Sequence, residues 1–157
     1  HCSVALCPLL TTVGFRVTVF DDRPDLITPE RFPAAERLIC GDFSHIDRYL
    51  SCSAEDYIVV MTSGHTHDFI VQEQILRRNF AYVGVIGSRA KTAAVNARLR
   101  AAGVQETAIA SVHTPVGIAI KAVTPEEIAV SIAGEMICER ALRREKDGPR
   151  HHGCPMH

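Results

Sequence analysis

The sequence predicts an α/β domain in which a mostly parallel sheet lies between two layers of helices. Two observations support this prediction. Short β-branched or apolar runs alternate along the chain with longer segments of helical periodicity. The run at 57–62 is apolar on both faces, as expected of a strand inside a parallel sheet. With 157 residues, the chain is long enough for one such domain with its own core.

The first third of the chain provides a helix and two strands. Residues 2–13 have helical character, with Pro8 as a kink or as the true start, and Gly14 is well placed as a stop. The β-branched run at 16–20 predicts a strand. A shorter strand is predicted at 38–40.

The middle of the chain continues the alternation. After the strand at 57–62, residues 68–79 are predicted to form a helix. A further strand is predicted at 81–86, and a helix with one apolar face and several arginines follows it at 89–102.

The last helix has the clearest start signal. Residues 124–127, Thr-Pro-Glu-Glu, provide an N-cap, a proline in the first turn and a carboxylate that can complete a capping box. We expect one domain over 1–142 and a flexible polar tail over 143–157. Apolar residues recur at helical spacing behind the cap: Ile128, Ile132, Ala133, Met136 and Ile137.

The composition is that of an ordinary soluble protein. Charged residues make up 22%, and the net charge of −1 gives no bias toward nucleic acid or a membrane surface. No apolar run is long enough to span a bilayer. The cysteines form no C-x-x-C pair and are expected to be reduced, which favours a cytoplasmic location. They are Cys2, Cys7, Cys40, Cys52, Cys138 and Cys154.

Polar side chains gather at the ends of the predicted strands. Asp21, Thr62 and Gly87 each follow a strand. In parallel sheets, ligands bind beyond the carboxyl ends of the strands. We therefore expect all the strands to be neighbours in one sheet, with these three residues at the same edge of a single crevice.

Asp21 has two interpretations. In a Rossmann unit, an acid at this place binds a ribose hydroxyl about 20 residues after a glycine-rich turn. No G-x-G-x-x-G occurs in this chain, and such a turn would have to precede His1. The alternative is a plain turn made by residues 21–24.

The stretch 63–68 contains two histidines and an acid. His65, His67 and Asp68 have the ligand chemistry for a divalent metal, although short histidine motifs match by chance often. The alternative is a helix N-terminus, capped by Thr62 or Thr66, in which Asp68 complements the helix dipole.

Residues 87–91, Gly-Ser-Arg-Ala-Lys, enter a helix with two cations beside free backbone amides. That arrangement suits a phosphate or a carboxylate. The alternative is simple capping by Ser88 with a solvated basic face. His113, in a loop with Pro115, is a lone titratable group and would usually be structural.

Four segments, in this order, resemble the XdhC/CoxI family of accessory proteins for xanthine dehydrogenase maturation: VVMTSGHTHD, YVGVIGSRAK, VHTPVGIAI and TPEEIAVSI. The resemblance covers Asp21 to Met136 and implies the family's C-terminal Rossmann-like domain. Members often carry a strand and a G-x-G-H turn just before this region. His1 matches the histidine of that turn, so the resemblance implies that the first strand, the glycine-rich turn and the family's N-terminal domain are missing.

The resemblance implies a protein that binds molybdenum cofactor, as molybdopterin or its dinucleotide form, and assists its sulfuration and insertion. The implied partners are an apo molybdenum hydroxylase and a cysteine desulfurase, and a homodimer is left open. Lys121 departs from the family, where many members have glycine. The positions that match the family's cofactor-binding segments are His1, Asp21, Arg23, Thr62, His65, Asp68, Gly87, Ser88, Arg89, Lys91, His113, Pro115 and Gly117.

Two other functions are left open by the residues. An oxidoreductase that uses NAD(P) is suggested by the Rossmann pattern and Asp21, although fold alone does not give function. A metal-dependent hydrolase is suggested by His65 and His67 together with Asp68.

Overall fold

The structure, a computed structural model, describes residues 1–62 and 65–147, without the side chain of His65. Helices and strands alternate from residue 43 to residue 101, whereas the first two strands follow one another without a helix between them. None of the described helices is both long and apolar enough to cross a membrane. The elements are α1 Cys2–Thr12, β1 Thr18–Asp21, β2 Arg37–Cys40, the 3-10 helix η1 Phe43–Arg48, β3 Tyr57–Val60, α2 His65–Leu76, β4 Tyr82–Val85, α3 Arg89–Ala101, α4 Glu106–Ala110 and α5 Pro125–Lys146.

The strands are parallel, but they form two pairs. β1 pairs with β2, placing Asp21 opposite Cys40, and β3 pairs with β4, placing Val60 opposite Val85. Within the described residues, no ladder joins the two pairs. The prediction of parallel strands is confirmed, whereas the prediction of one continuous sheet is wrong.

Backbone direction shows that the first pair has an open side. Along a strand, the N–H and C=O of successive residues point alternately to the two sides. The carbonyls of Val17 and Asp21 accept hydrogen bonds from the β2 side, so the intervening Thr18 and Phe20 face away from β2. No backbone hydrogen bond joins Thr18 or Phe20 to another described segment on that open side.

β3 has an open side as well. The carbonyl of Asp56, just before β3, accepts a hydrogen bond from the amide of Ala81. The carbonyl of Val60, the last residue of β3, accepts one from the amide of Ile86. Tyr57 and Val59 therefore point their backbone groups away from β4. The two open sides belong to one layer, because Val17 of the first pair and Val59 of the second pack in the same apolar cluster.

Helices cover both faces of this layer. α1 and α5 pack together on one face, where buried residues such as Leu10 and Ile132 contact Tyr82 of β4. On the other face, α2 and η1 cover Val60 and Val85. The predicted three-layer arrangement is therefore confirmed.

Local signals account for the helix ends. Gly14 follows α1 with φ +96°, a left-handed value that favours glycine. α5 begins with the predicted capping box, in which Thr124 and Glu127 each bond the other's backbone, and Pro125 is its first residue. α5 continues to Lys146, past the predicted domain end at 142. The rest of the predicted tail, 148–157, lies outside the described residues.

Candidate functional site

A narrow crevice of about 10 Å³ lies beyond the carboxyl ends of β3 and β4. It brings together three of the predicted positions: Asp68 of α2, Gly87 after β4, and Lys91 in the first turn of α3. These residues meet because β3 and β4 are parallel and in register, so their following loops leave at the same edge.

Asp68 is the buried acid of the crevice. Only 5% of the residue is exposed, and its carboxylate accepts a hydrogen bond from the hydroxyl of Thr62. Asp68 also lies in the first turn of α2, where a negative charge is stabilised by the helix dipole. The predicted position of this acid at the positive end of the helix dipole is therefore present in the geometry.

The N-terminus of α3 forms the other wall of the crevice. Ser88 is the N-cap, and its hydroxyl accepts a hydrogen bond from the amide of Lys91 at 3.3 Å. The amides of Arg89 and Ala90, which precede it, have no partner in the described chain. A side chain built at Gly87 would meet no described atom within 4 Å, so the described residues leave the space beside Gly87 open.

Neither cation at this helix start is neutralised. Arg89 and Lys91 are exposed and make no ion pair with any described carboxylate. Open amides, the dipole and two free cations together suit an anion such as a phosphate. Simple capping by Ser88 is also present, so both interpretations of this segment describe the same geometry.

Four polar residues that sequence reasoning missed also line the crevice. On α2 and α3, Gln72 and Asn96 lie four residues after Asp68 and Thr92, so the polar positions repeat at one helical turn. That i, i+4 repeat beside apolar residues is the signal that could have found them. Thr114 joins from a distant loop and contacts the hydroxyl of Thr92 at 3.0 Å, which no local pattern shows.

Asp21 lies at the end of the other strand pair and is engaged by Arg23. The guanidinium donates to both carboxylate oxygens at 3.1 Å, and the Arg23 amide donates at 3.0 Å. Burial raises the pKa of Asp21, but the hydrogen bonds and charge of Arg23 outweigh it and leave this pKa below its usual value. The predicted turn is thus present, and the carboxylate is ionised and already paired.

The histidine pair opens α2. The ring of His67 lies against Phe43, with centroids 5.2 Å apart, while the side chain of His65 is not described. Among the described residues, no three histidine, cysteine or acidic side chains are grouped closely enough to hold a metal ion. The metal site at His65 and His67 stays a prediction.

The loop at 113–117 places its predicted residues away from the crevice. His113 pairs with Gly84 in the middle of β4, and its side chain lies on the α5 side of the layer. After Pro115, Gly117 has φ +102° and lies against α5, where a Cβ would come within 2.3 Å of the Ser131 hydroxyl. His113, Pro115 and Gly117 are therefore not among the residues that line the crevice.

Two further positions from the sequence analysis, His1 and Lys121, do not line the crevice. His1 is the N-cap of α1 but makes no side-chain capping bond. Lys121 has φ +58°, a backbone conformation that glycine adopts without steric cost, which is consistent with glycine at this position in many family members. Lys121 is not among the residues that line the crevice.

Parallel β-α-β units with a crevice beyond their carboxyl ends define a Rossmann-type domain. Residues 1–136 match the XdhC Rossmann domain family, and the chain belongs to that family.

Two bacterial relatives are longer proteins. The chain is 28% identical over 138 residues to the uncharacterized protein YqeB of Escherichia coli K12, covering 87% of this chain and 25% of YqeB. It is 33% identical over 138 residues to a probable xanthine dehydrogenase subunit of Bacillus subtilis 168, covering 88% of this chain and 40% of that protein. The chain thus spans well under half of each relative.

A solved structure has the same fold. The crystal structure of a xanthine dehydrogenase from Bacillus halodurans superposes with a TM-score of 0.82 at 26% identity. The match covers 94% of this chain and 42% of that one. The fold of this chain is therefore shared with part of that structure.

Proposed function

We propose that this domain binds the molybdenum cofactor, as molybdopterin or its dinucleotide form, and serves as an accessory domain for a xanthine dehydrogenase-type hydroxylase. In this role it assists sulfuration and insertion of the cofactor. The apo-hydroxylase receives the cofactor, and a cysteine desulfurase supplies the sulfur. Membership of the XdhC Rossmann domain family and the names of the two Bacillus relatives support the proposal.

The single observation that carries the proposal is the open N-terminus of α3. Molybdopterin bears a phosphate, and a phosphate is matched here by the amides of Arg89 and Ala90 and by two cations, all without a partner among the described residues. The missing side chain at Gly87 leaves room for the group to approach. These residues therefore fit the cofactor's phosphate, and Asp68 in the same crevice is held by Thr62.

A second candidate, NAD(P) binding by an oxidoreductase, is favoured by Asp21 at the end of β1. An acid at this place binds ribose in dinucleotide-binding Rossmann domains. The Asp21 carboxylate already holds Arg23, so ribose binding by Asp21 requires this pair to open. Because NAD(P) is the ligand of this second candidate, NADPH serves as a comparison ligand in the binding titration.

The test is a binding titration of isolated molybdenum cofactor with the wild-type protein and Arg89→Ala. Losing a hydrogen bond to a charged phosphate costs about 1.5–3 kcal/mol, so affinity should fall about tenfold or more. The loss should shrink as salt rises, because an exposed phosphate contact is screened. Lys91→Ala should behave in the same way.

Arg144→Ala is the matched control, since Arg144 is an exposed arginine in the last turn of α5 and makes no described ion pair. Affinity for the cofactor should be unchanged in this variant. Equal affinities in Arg89→Ala, Lys91→Ala and wild type, with intact circular dichroism, would contradict the proposal. Tighter binding of NADPH than of the cofactor would favour the second candidate.

A further inference from the structure

A second cavity lies at the amino end of β4, at the other end of the strand from the crevice. Its volume is about 610 Å³, within the range of small-molecule sites. The segment from α2 into β4 forms one side, and α4 with its flanking residues forms the other. None of the residues proposed to hold the cofactor phosphate lines this cavity.

The charge of the lining favours an anion. Arg77, Arg78 and His113 all line the cavity, and no carboxylate is found among its described lining residues. Arg77 is neutralised by Glu73 at 3.1 Å. Arg78 donates to the carbonyl of Cys52 at 2.8 Å and has no ion pair in the described chain, so most of its N–H donors remain available.

A partly buried polar cluster supports the wall that contains His113. The Tyr82 hydroxyl donates to Glu135 Oε1 at 2.6 Å, and Nδ1 of His113 lies 3.5 Å from the same oxygen. The two rings stack with centroids 4.7 Å apart. Gly84 makes the room, because a Cβ there would come within 2.6 Å of the Tyr82 hydroxyl.

This cluster fixes the ring of His113. Burial and the hydrogen bond to Glu135 raise the pKa of Tyr82, so the phenol remains a donor and Glu135 the acceptor. Glu135 faces Nδ1, and Nε2 has no partner in the described part of the chain. An anion at Nε2 would place a negative group on each side of the ring, and the doubly protonated ring donates to both.

We propose that the cavity at the amino end of β4 binds a small organic anion, a carboxylate or a phosphate ester, through Arg78 and Nε2 of His113. Glu135 and Tyr82 are positioning residues that hold the imidazole. The side chain of His113 is 30% exposed, and the residue lines the cavity.

The test follows the histidine ring protons by NMR at about pH 6, where an ordinary imidazole is largely protonated. Inorganic phosphate and acetate are the two probes, and His113→Gln assigns the resonance. We expect one probe to shift the His113 signal saturably. A shift with phosphate alone indicates a phosphate ester as the ligand, and a shift with acetate alone indicates a carboxylate. A shift with both probes indicates a general anion site. A His113 signal that neither probe shifts overturns the proposal.

Two variants separate this site from the crevice. Arg78→Gln should weaken the saturable shift at least fivefold, while Arg89→Gln at the start of α3 should leave it unchanged. Arg78→Lys, which retains the charge, serves if the glutamine variant does not fold. Glu135→Gln should move the His113 ring-proton signal and weaken probe binding. Equal weakening by Arg78→Gln and Arg89→Gln would mean nonspecific anion binding and would overturn the proposal.

Discussion

Among single residues, Asp21 offers a direct test of electrostatics. Its pKa is lowered in the folded chain, where the bonds from Arg23 outweigh burial. A carboxyl with a lowered folded pKa contributes stability above its unfolded pKa, and the contribution is lost as the pH falls through the folded pKa. Asp21 therefore stabilises the fold at neutral pH and ceases to do so in acid.

Arg23→Ala should raise the pKa of Asp21, because the residue that donates to both oxygens is gone. The variant should be less stable than wild type near pH 7, and the difference should shrink as the pH falls through the folded pKa of Asp21. Carboxyl carbon NMR and urea unfolding across this pH range measure this. Arg48→Ala, an exposed arginine without described contacts, is the control; an unchanged Asp21 pKa in Arg23→Ala would contradict the prediction.

Sequence reasoning found residues whose role is local and missed those whose role depends on packing. Ser88 was identified as a helix cap because its partner, Lys91, lies three residues away. Thr114 was missed because it contacts Thr92 across 22 residues of chain. His113 was expected beside the crevice, but its pairing with Gly84 turns it toward α5, and no sequence pattern encodes that pairing.

At the scale of elements, the loop after His113 is held against α5 by a close approach. Gly117 and Gly103 both have left-handed φ values, of +102° and +88°. A Cβ at Gly117 would collide with Ser131, whereas a Cβ at Gly103 would meet nothing within 4 Å. The two glycines therefore share the backbone conformation and differ in crowding.

Both Gly117→Ala and Gly103→Ala should be destabilised by the unfavourable conformation, each by about 1 kcal/mol or more. Gly117→Ala should lose about 1–3 kcal/mol in addition, since overpacking forces Ser131 to move. Urea unfolding of both variants gives the difference. Equal losses would mean that the loop moves away from α5 without cost.

The longer elements were predictable, while the short ones were not. The cap of α5 lies entirely within residues 124–127, so local chemistry determines it. The short helix η1 was not predicted, because it depends on a tertiary contact. The side chain of Gln74, on α2, bonds the carbonyl of Phe43 and the amide of Ile46.

For the whole molecule, the two open strand sides predict a pattern of amide exchange. Tyr57 and Val59 point their amides away from β4, and Ile58 and Val60 point theirs toward it. Hydrogen exchange should therefore alternate along β3, with Tyr57 and Val59 faster by at least tenfold than their neighbours. The amide of Val85, which donates to the carbonyl of His113 at 2.9 Å, serves as a protected control.

Uniformly slow exchange along β3 would contradict that prediction, because it would mean that the open side is already paired.

The division of the strands into two pairs could not be predicted from the sequence. An apolar strand such as β3 has the pattern of a central strand whichever neighbours it has. Half-burial of Tyr57 and Val59, against full burial throughout β4, is the structural sign of the difference.

The stacked rings on the α5 side allow the packing of the fold to be followed by circular dichroism. The chain has no tryptophan and three tyrosines, so its near-ultraviolet circular dichroism comes mainly from tyrosine and phenylalanine. Phe15, which lies between α1 and β1, contacts Tyr57 with ring centroids 5.2 Å apart, and Tyr57 stacks on Tyr82 at 5.9 Å, which links the segment before β1 to the second strand pair. Since this signal requires fixed packing, it reports whether that segment remains packed against the second strand pair.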